Sequence, residues 1–219
     1  MNLCSNSSLK NPANITYKVG DFLAKYPEKV FLDEDSLIEE SFQLATQIMA
    51  SGFKPTFIVG LWRGGSSVGI YVQECLQTLG VKTDHISIRT SYTGSKNYQT
   101  SSHNEQPIRV HGLTYLVKKL NVDHKLLIVD DMYRSGKNVN ATISELKRRL
   151  RKNMPTDVRV ATVWKDASLS DDEGPDYSVH QTKDWVVFPY ELQGLTLEEI
   201  QKHKSFAYKF VDPALFIES

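Results

Sequence analysis

Two adjacent carboxylates, Asp130 and Asp131, directly follow four aliphatic residues, Leu126-Leu127-Ile128-Val129. Arg134-Ser135-Gly136-Lys137-Asn138 comes next, and then Val139, Ile143, Leu146 and Leu150 recur at helical spacing. The aliphatic run reads as a strand buried on both faces. The acids stand at its C-terminal end, where open α/β sheets bind ligands. Backbone N–H groups of a Ser-Gly-Lys turn entering a helix can converge on an anion, and the helix dipole favours a phosphate there. Gly136 lets the backbone approach closely or take positive φ, and Lys137 adds a point charge. Two acids repel a phosphate; they suit the hydroxyls of a vicinal diol, or a divalent cation. This is the chemistry of a phosphorylated-sugar site. A Walker P-loop does not fit, since it would need glycine at 131 and Ser or Thr at 138. The segment alone leaves open a structural strand whose acids merely cap the next helix.

A second turn of the same kind follows the apolar run Thr56–Leu61: Trp62-Arg63-Gly64-Gly65-Ser66-Ser67, leading into a helix expected from about Ser67 to Leu79. The Gly-Gly pair frees backbone amides, Arg63 can pair bidentately with phosphate oxygens, and Ser66 or Ser67 can cap the helix. Alone such a turn is weak evidence, because many α/β proteins need one for geometry.

Residues 126–138 resemble the phosphoribosyl-diphosphate (PRPP) fingerprint of the type I phosphoribosyltransferases: a hydrophobic strand, two acids, two variable residues, then a small polar loop. Arg134 departs from it, standing where purine-specific members usually carry an aspartate. The resemblance extends to Trp185-Val186-Val187-Phe188-Pro189-Tyr190-Glu191, similar to the Trp-x-x-x-Pro-Trp-Asp of the xanthine/hypoxanthine–guanine (6-oxopurine) enzymes. It also extends to Ser91-Tyr92, which resembles the Ser-Tyr opening the mobile catalytic loop of purine phosphoribosyltransferases.

The resemblance implies roles for each. Asp130 and Asp131 would bind the ribose diol and stabilise an oxocarbenium-like sugar carbon. Arg134, Ser135, Gly136, Lys137 and Asn138 would hold the 5′-phosphate end, and Arg63 and Gly64 the diphosphate, with a non-proline cis peptide at Trp62–Arg63. Ser91 and Tyr92 would belong to a loop that closes over the reacting centre and excludes water. Trp185 would stack on a flat base, the Val186 backbone would read its edge, and Lys165 would donate to an exocyclic oxygen. Glu191 would hold Mg2+ or its water, the metal being the implied cofactor. Besides PRPP and a nucleobase, a second copy of the chain is an implied partner, as a dimer or tetramer.

The elements that must position these residues are legible in outline. A helix is expected to start near Asp35 or Ser36 and end at Gly52, with Ile38, Phe42, Ala45 and Met49 along one stripe. His85–Arg89 reads as a strand, followed by a polar connection from Thr90 to Pro107. After Ile108–Val110 and Leu113–Leu120 the chain returns to the central strand. Val158–Trp164 is a further strand, and Leu197–His203 a short helix without legible chemistry. Residues 1–20, rich in Asn and Ser, read as a loosely ordered segment. The rest, 21–219, reads as one domain with a hood at about 165–195.

Composition bounds the alternatives. The chain has 219 residues with 26 basic and 26 acidic side chains, so no global field recruits nucleic acid or membrane. The basic cluster Lys147–Lys152 lies at a helix end, where cations complement the dipole. Cys4 and Cys75 form no metal or redox pattern, and Cys75 reads as a small core residue. With no apolar run long enough to span a bilayer and no hydrophobic signal core, a cytoplasmic protein is expected. The expected fold is α/β, a central parallel sheet flanked by helices with a small hood. The expected reaction is transfer of 5-phosphoribosyl from PRPP to a 6-oxopurine with release of diphosphate. Two other readings stand beside it: a PRPP- or nucleotide-binding regulator that has lost catalysis, and, more distantly, a nucleic-acid module using the basic helix end.

Overall fold

The computed structural model describes residues 28–92 and 107–215. The expected loose segment 1–20 and the body of the polar connection, residues 93–106, lie outside the described residues.

Strands β2 (Phe57–Trp62), β3 (Asp84–Tyr92), β4 (Ile108–His111), β5 (Lys125–Tyr133), β6 (Asp157–Asp166) and β7 (Tyr177–Thr182) form one sheet in the order β4-β3-β2-β5-β6-β7. All pairings are parallel except β3 with β4. Leu126, Leu127, Ile128 and Val129 of β5 are fully buried, as a strand covered on both faces must be. Helices α1 (Glu34–Ala50) and α2 (Gly64–Thr78) close one face, and α3 (Thr114–Lys119) and α4 (Lys137–Leu150) pack in the core of the other.

Local chemistry explains most element ends. The Asp33 carboxylate accepts from the Ser36 N–H at 2.7 Å and caps α1, whose buried stripe is Leu37, Ser41, Leu44, Ala45 and Ile48. At the far end of α4, Glu145 pairs with Arg148 and Arg149 at 2.6 and 2.7 Å, so part of the basic cluster is neutralised locally. Cys75 is half-buried and packs against the α1–α2 core.

Some bounds differ from expectation: strand β3 runs on to Tyr92, so Ser91 and Tyr92 lie in a strand and not in the polar connection expected from Thr90. Helix α2 starts at Gly64 instead of Ser67, because its two glycines let the helix begin in contact with β5. Strand β5 runs on past Val129, so both acids lie within it. Strand β7, with its mixed polar sequence, was not expected at all.

A second, two-stranded sheet stands apart: β1 (Lys29–Phe31) pairs in parallel with β8 (Trp185–Val187). Val187 joins Leu195 and Ile200 in a small third core, with Ile200 supplied by α5 (Leu197–His203). A capping box between Thr196 and Glu199 starts α5, and α6 (Ser205–Tyr208) follows. Among the described residues no helix is long and apolar enough to cross a membrane.

Candidate active site

Strand β2 has β3 on one side and β5 on the other, and its helix leads to β3 while that of β5 leads to β6. The crevice at their C-terminal ends is therefore a topological switch point. Pairing between the two strands stops at Gly60 and Val129. Beyond it the amides of Asp131 and Met132 donate to the carboxylates of Asp130 and Asp131, at 3.0 and 2.9 Å. The acids thus satisfy amides left by the parting strands and line the opening.

On the β2 side the chain turns through a cis peptide between Trp62 and Arg63. Gly65 packs so closely on β5 that a Cβ there would overlap the Val129 carbonyl and lie 2.9 Å from the Asp130 Cα. A Cβ on Gly64 would strike the Asp131 carboxylate and the Tyr190 hydroxyl. Only glycine admits this approach. On the β5 side Gly136 has φ 64° and starts α4, with Ser135 and Lys137 exposed beside it.

The third wall comes from the turn after β8. The Tyr190 hydroxyl donates to Asp131. Glu191 lies 3.7 Å from the Arg63 guanidinium, and its carboxylate accepts from the Phe188 N–H at 3.2 Å. Three carboxyl groups in one partly buried crevice cannot all ionise freely. Burial, then Asp131, pushes Asp130 well above the usual carboxylate range. The same two causes raise Glu191 to about 7, against the pull of the Phe188 N–H and Arg63. Burial and then Asp131 also raise the Tyr190 phenol. Such a site gains from a cation or from several hydroxyl donors.

The remaining expected residues are more scattered. Arg134 turns to the small sheet: its guanidinium donates to the Asp184 carbonyl and lies 3.5 Å from Asp166 at the end of β6. Lys165 pairs with Asp171 at 3.4 Å. Trp185 packs against the third core, and the Lys29 ammonium sits over its ring, 4.7 Å from the centroid. Val186 is buried, its backbone in register with Val30. The Ser91 hydroxyl bonds His111 at 2.9 Å across the β3–β4 pair, and Tyr92 ends β3. Asn138 lies in the first turn of α4.

Sequence reasoning missed the Tyr190–Asp131 bond, the Asp166 partner of Arg134 and the Lys29 partner of Trp185. The tyrosine was visible only as a replacement within a motif, and nothing in the sequence joins the other pairs. Among the described residues no group of three or more His, Cys, Asp or Glu side chains could hold a metal alone.

The phosphoribosyl transferase domain family matches residues 31–194. No curated protein matches the sequence. Among solved structures, a purine phosphoribosyltransferase from Pyrococcus horikoshii superposes with a TM-score of 0.58 at 23% identity, covering 77% of this chain and 97% of that one. A xanthine-guanine-hypoxanthine phosphoribosyltransferase from Helicobacter pylori gives 0.57 at 14%, covering 80% and 100%. A hypothetical protein from Neisseria gonorrhoeae with bound ppGpp gives 0.61 at 18%, covering 84% and 98%. These likenesses support the fold, and the family match spans most of the chain with the crevice inside it. The chain belongs to the phosphoribosyl transferase domain family and is a phosphoribosyltransferase of the type I fold.

Proposed function

We propose that the chain transfers 5-phosphoribosyl from PRPP to a 6-oxopurine and releases diphosphate. The observation that carries this reading is the Asp130–Asp131 pair, set between two strand-to-helix turns at the switch point. The turn at Arg63 and Gly64 takes the diphosphate, the turn from Ser135 to Asn138 the 5′-phosphate, and the two acids the ribose diol. Trp185, Val186 and Lys165 form the base side, with the small sheet as hood. Ser91 and Tyr92 stand at the root of the covering loop.

The donor set fits magnesium. Mg2+ is commonly held by one or two carboxylates together with substrate phosphates. Glu191 is the candidate to hold it, and magnesium bound there would neutralise the departing diphosphate.

Arg134 shapes the choice of base. It has no acceptor and cannot take the purine N7 proton, so an acidic base such as xanthine is favoured over hypoxanthine. The test is diphosphate release from PRPP and Mg2+ across hypoxanthine, guanine, xanthine and pyrimidines, with kcat/KM for wild type and Arg134→Asp. Turnover of xanthine above hypoxanthine, reversed in the variant, supports the reading. Efficient hypoxanthine turnover that Arg134→Asp does not improve overturns the role of Arg134.

A nucleotide-binding regulator is the second reading. It is favoured by the Tyr190 hydroxyl already bonded to Asp131, and by the ppGpp-bound Neisseria gonorrhoeae protein sharing the fold. PRPP binding without turnover on any base would select it.

A further inference from the structure

Lys204, at the junction of α5 and α6, is 2% exposed. A lysine is rarely so buried without partners. Its ammonium donates to the Phe188 carbonyl at 2.8 Å. The carboxylates of Glu191, Glu34 and Asp33 favour its charge against the burial that lowers its pKa. The same Phe188 carbonyl accepts the Glu191 N–H at 3.0 Å, and the Phe188 N–H returns a bond to the Glu191 carboxylate. Lys204 therefore braces from behind a turn whose front faces the crevice. Its own backbone is fixed: its N–H donates to Ile200 at 2.8 Å, and its carbonyl accepts from Ala207 and Tyr208.

We propose that Lys204 is a positioning residue for the crevice, holding the Phe188–Glu191 turn so that Tyr190 meets Asp131 and Glu191 meets Arg63. The α5–α6 segment thereby becomes a working part of the site. The catalytic consequence rests on phosphoribosyl transfer at this crevice; the structural claim does not. An apolar residue at 204 would leave the Phe188 carbonyl with a single donor and remove the cation behind Glu191. The turn would then open locally, while β5 and α4, which it does not hold, would stay closed.

Hydrogen–deuterium exchange on the full chain without substrate reads the turn directly. In Lys204→Met the amides of the turn, Glu191 above all, should exchange about tenfold faster or more, as loss of a charged hydrogen bond requires, with β5 and α4 unchanged. Lys204→Arg, which keeps charge and donors, should restore most of the protection. In a transfer assay Lys204→Met should lower kcat/KM by a similar factor, and Lys204→Arg should recover it. Unchanged exchange at the turn in Lys204→Met overturns the proposal. Should methionine unfold the chain, Lys204→Gln, shorter and neutral, is measured the same way; global unfolding of both also overturns it, by making Lys204 a folding residue. Local opening of the turn in Lys204→Met, with a wild type that transfers to no base, would sink the proposed reaction and leave this inference standing.

Discussion

The two strand-to-helix turns at the crevice are alike in kind and opposite in construction. The turn after β2 is set by crowding: Gly64 and Gly65 press against Asp131, Tyr190 and the β5 backbone, and Arg63 is met by Glu191. The turn after β5 is set by conformation: Gly136 sits in the left-handed region, with Ser135 and Lys137 exposed around it. One turn is packed to the acids, and its shape depends on what lies opposite. The other closes on its own segment, with Gly136 against the Tyr133 phenol, while its Arg134 reaches across to Asp184. A strand-to-helix turn can be built either way, and the two should fail differently.

The largest effect should come from Gly65→Ala. Its Cβ meets backbone, which cannot swing aside, so the variant should lose about 3 kcal/mol of stability in denaturant unfolding. A loss near zero would mean that the β2 turn is not set by packing.

Glu191→Gln sharpens the comparison through pH. A carboxyl raised from 4.5 to about 7 binds its proton more tightly in the folded state. Its stabilising protonation is therefore complete below pH 4.5 and lost as pH rises through about 7. Glutamine mimics the protonated form, so the variant should be more stable than wild type at pH 8 by on the order of 2–3 kcal/mol, the gap closing toward pH 4.5. Thermal unfolding across that range checks it, and a gap that widens at low pH would reverse the assignment.

Asp130→Asn should separate function from stability. Burial and Asp131 disfavour the charged form, so the variant should be at least as stable as wild type at pH 7. PRPP binding, read by calorimetry, should weaken by about 1–3 kcal/mol, because the amide puts a donor where the diol needs an acceptor. Unchanged PRPP affinity would remove Asp130 from the site.

The smallest effect belongs to the second turn. Gly136→Ala puts a side chain at positive φ and against the Tyr133 phenol. It should cost about 1–2 kcal/mol, from the strained backbone and the displaced phenol together. If it matched Gly65→Ala, the distinction between the turns would be lost.

The sequence revealed what local rules control. Leu126–Val129 and Phe57–Leu61 announce themselves because strands covered on both faces have no room for polar residues. The Ser-Gly-Lys turn and the stripe of α4 are equally local. The Trp62–Arg63 cis peptide was expected only from the family resemblance, and it is present. The small sheet was illegible because β1 and β8 have three residues each and carry no periodicity. Tyr177-Ser-Val-His-Gln-Thr hid β7, an edge strand with four of its six side chains polar. The start of α2 was misjudged because capping rules favour serine, whereas contact with β5 decided the matter. Lys204 sits beside exposed Lys202 and His203, and nothing local distinguishes the buried cation from the solvated ones.

The pairing of β1 with β8 has a consequence for synthesis. Lys29–Phe31 emerges early, yet its partner Trp185–Val187 lies near the end of the family domain. Strands β2 to β7, with both turns and both acids, can be complete before β1 finds its mate. Contacts between segments so distant in sequence form slowly, because loop closure must come first. A nascent chain stalled before residue 185 would present the floor of the crevice, Asp130 and Asp131 included, without Tyr190 and Glu191 across from it.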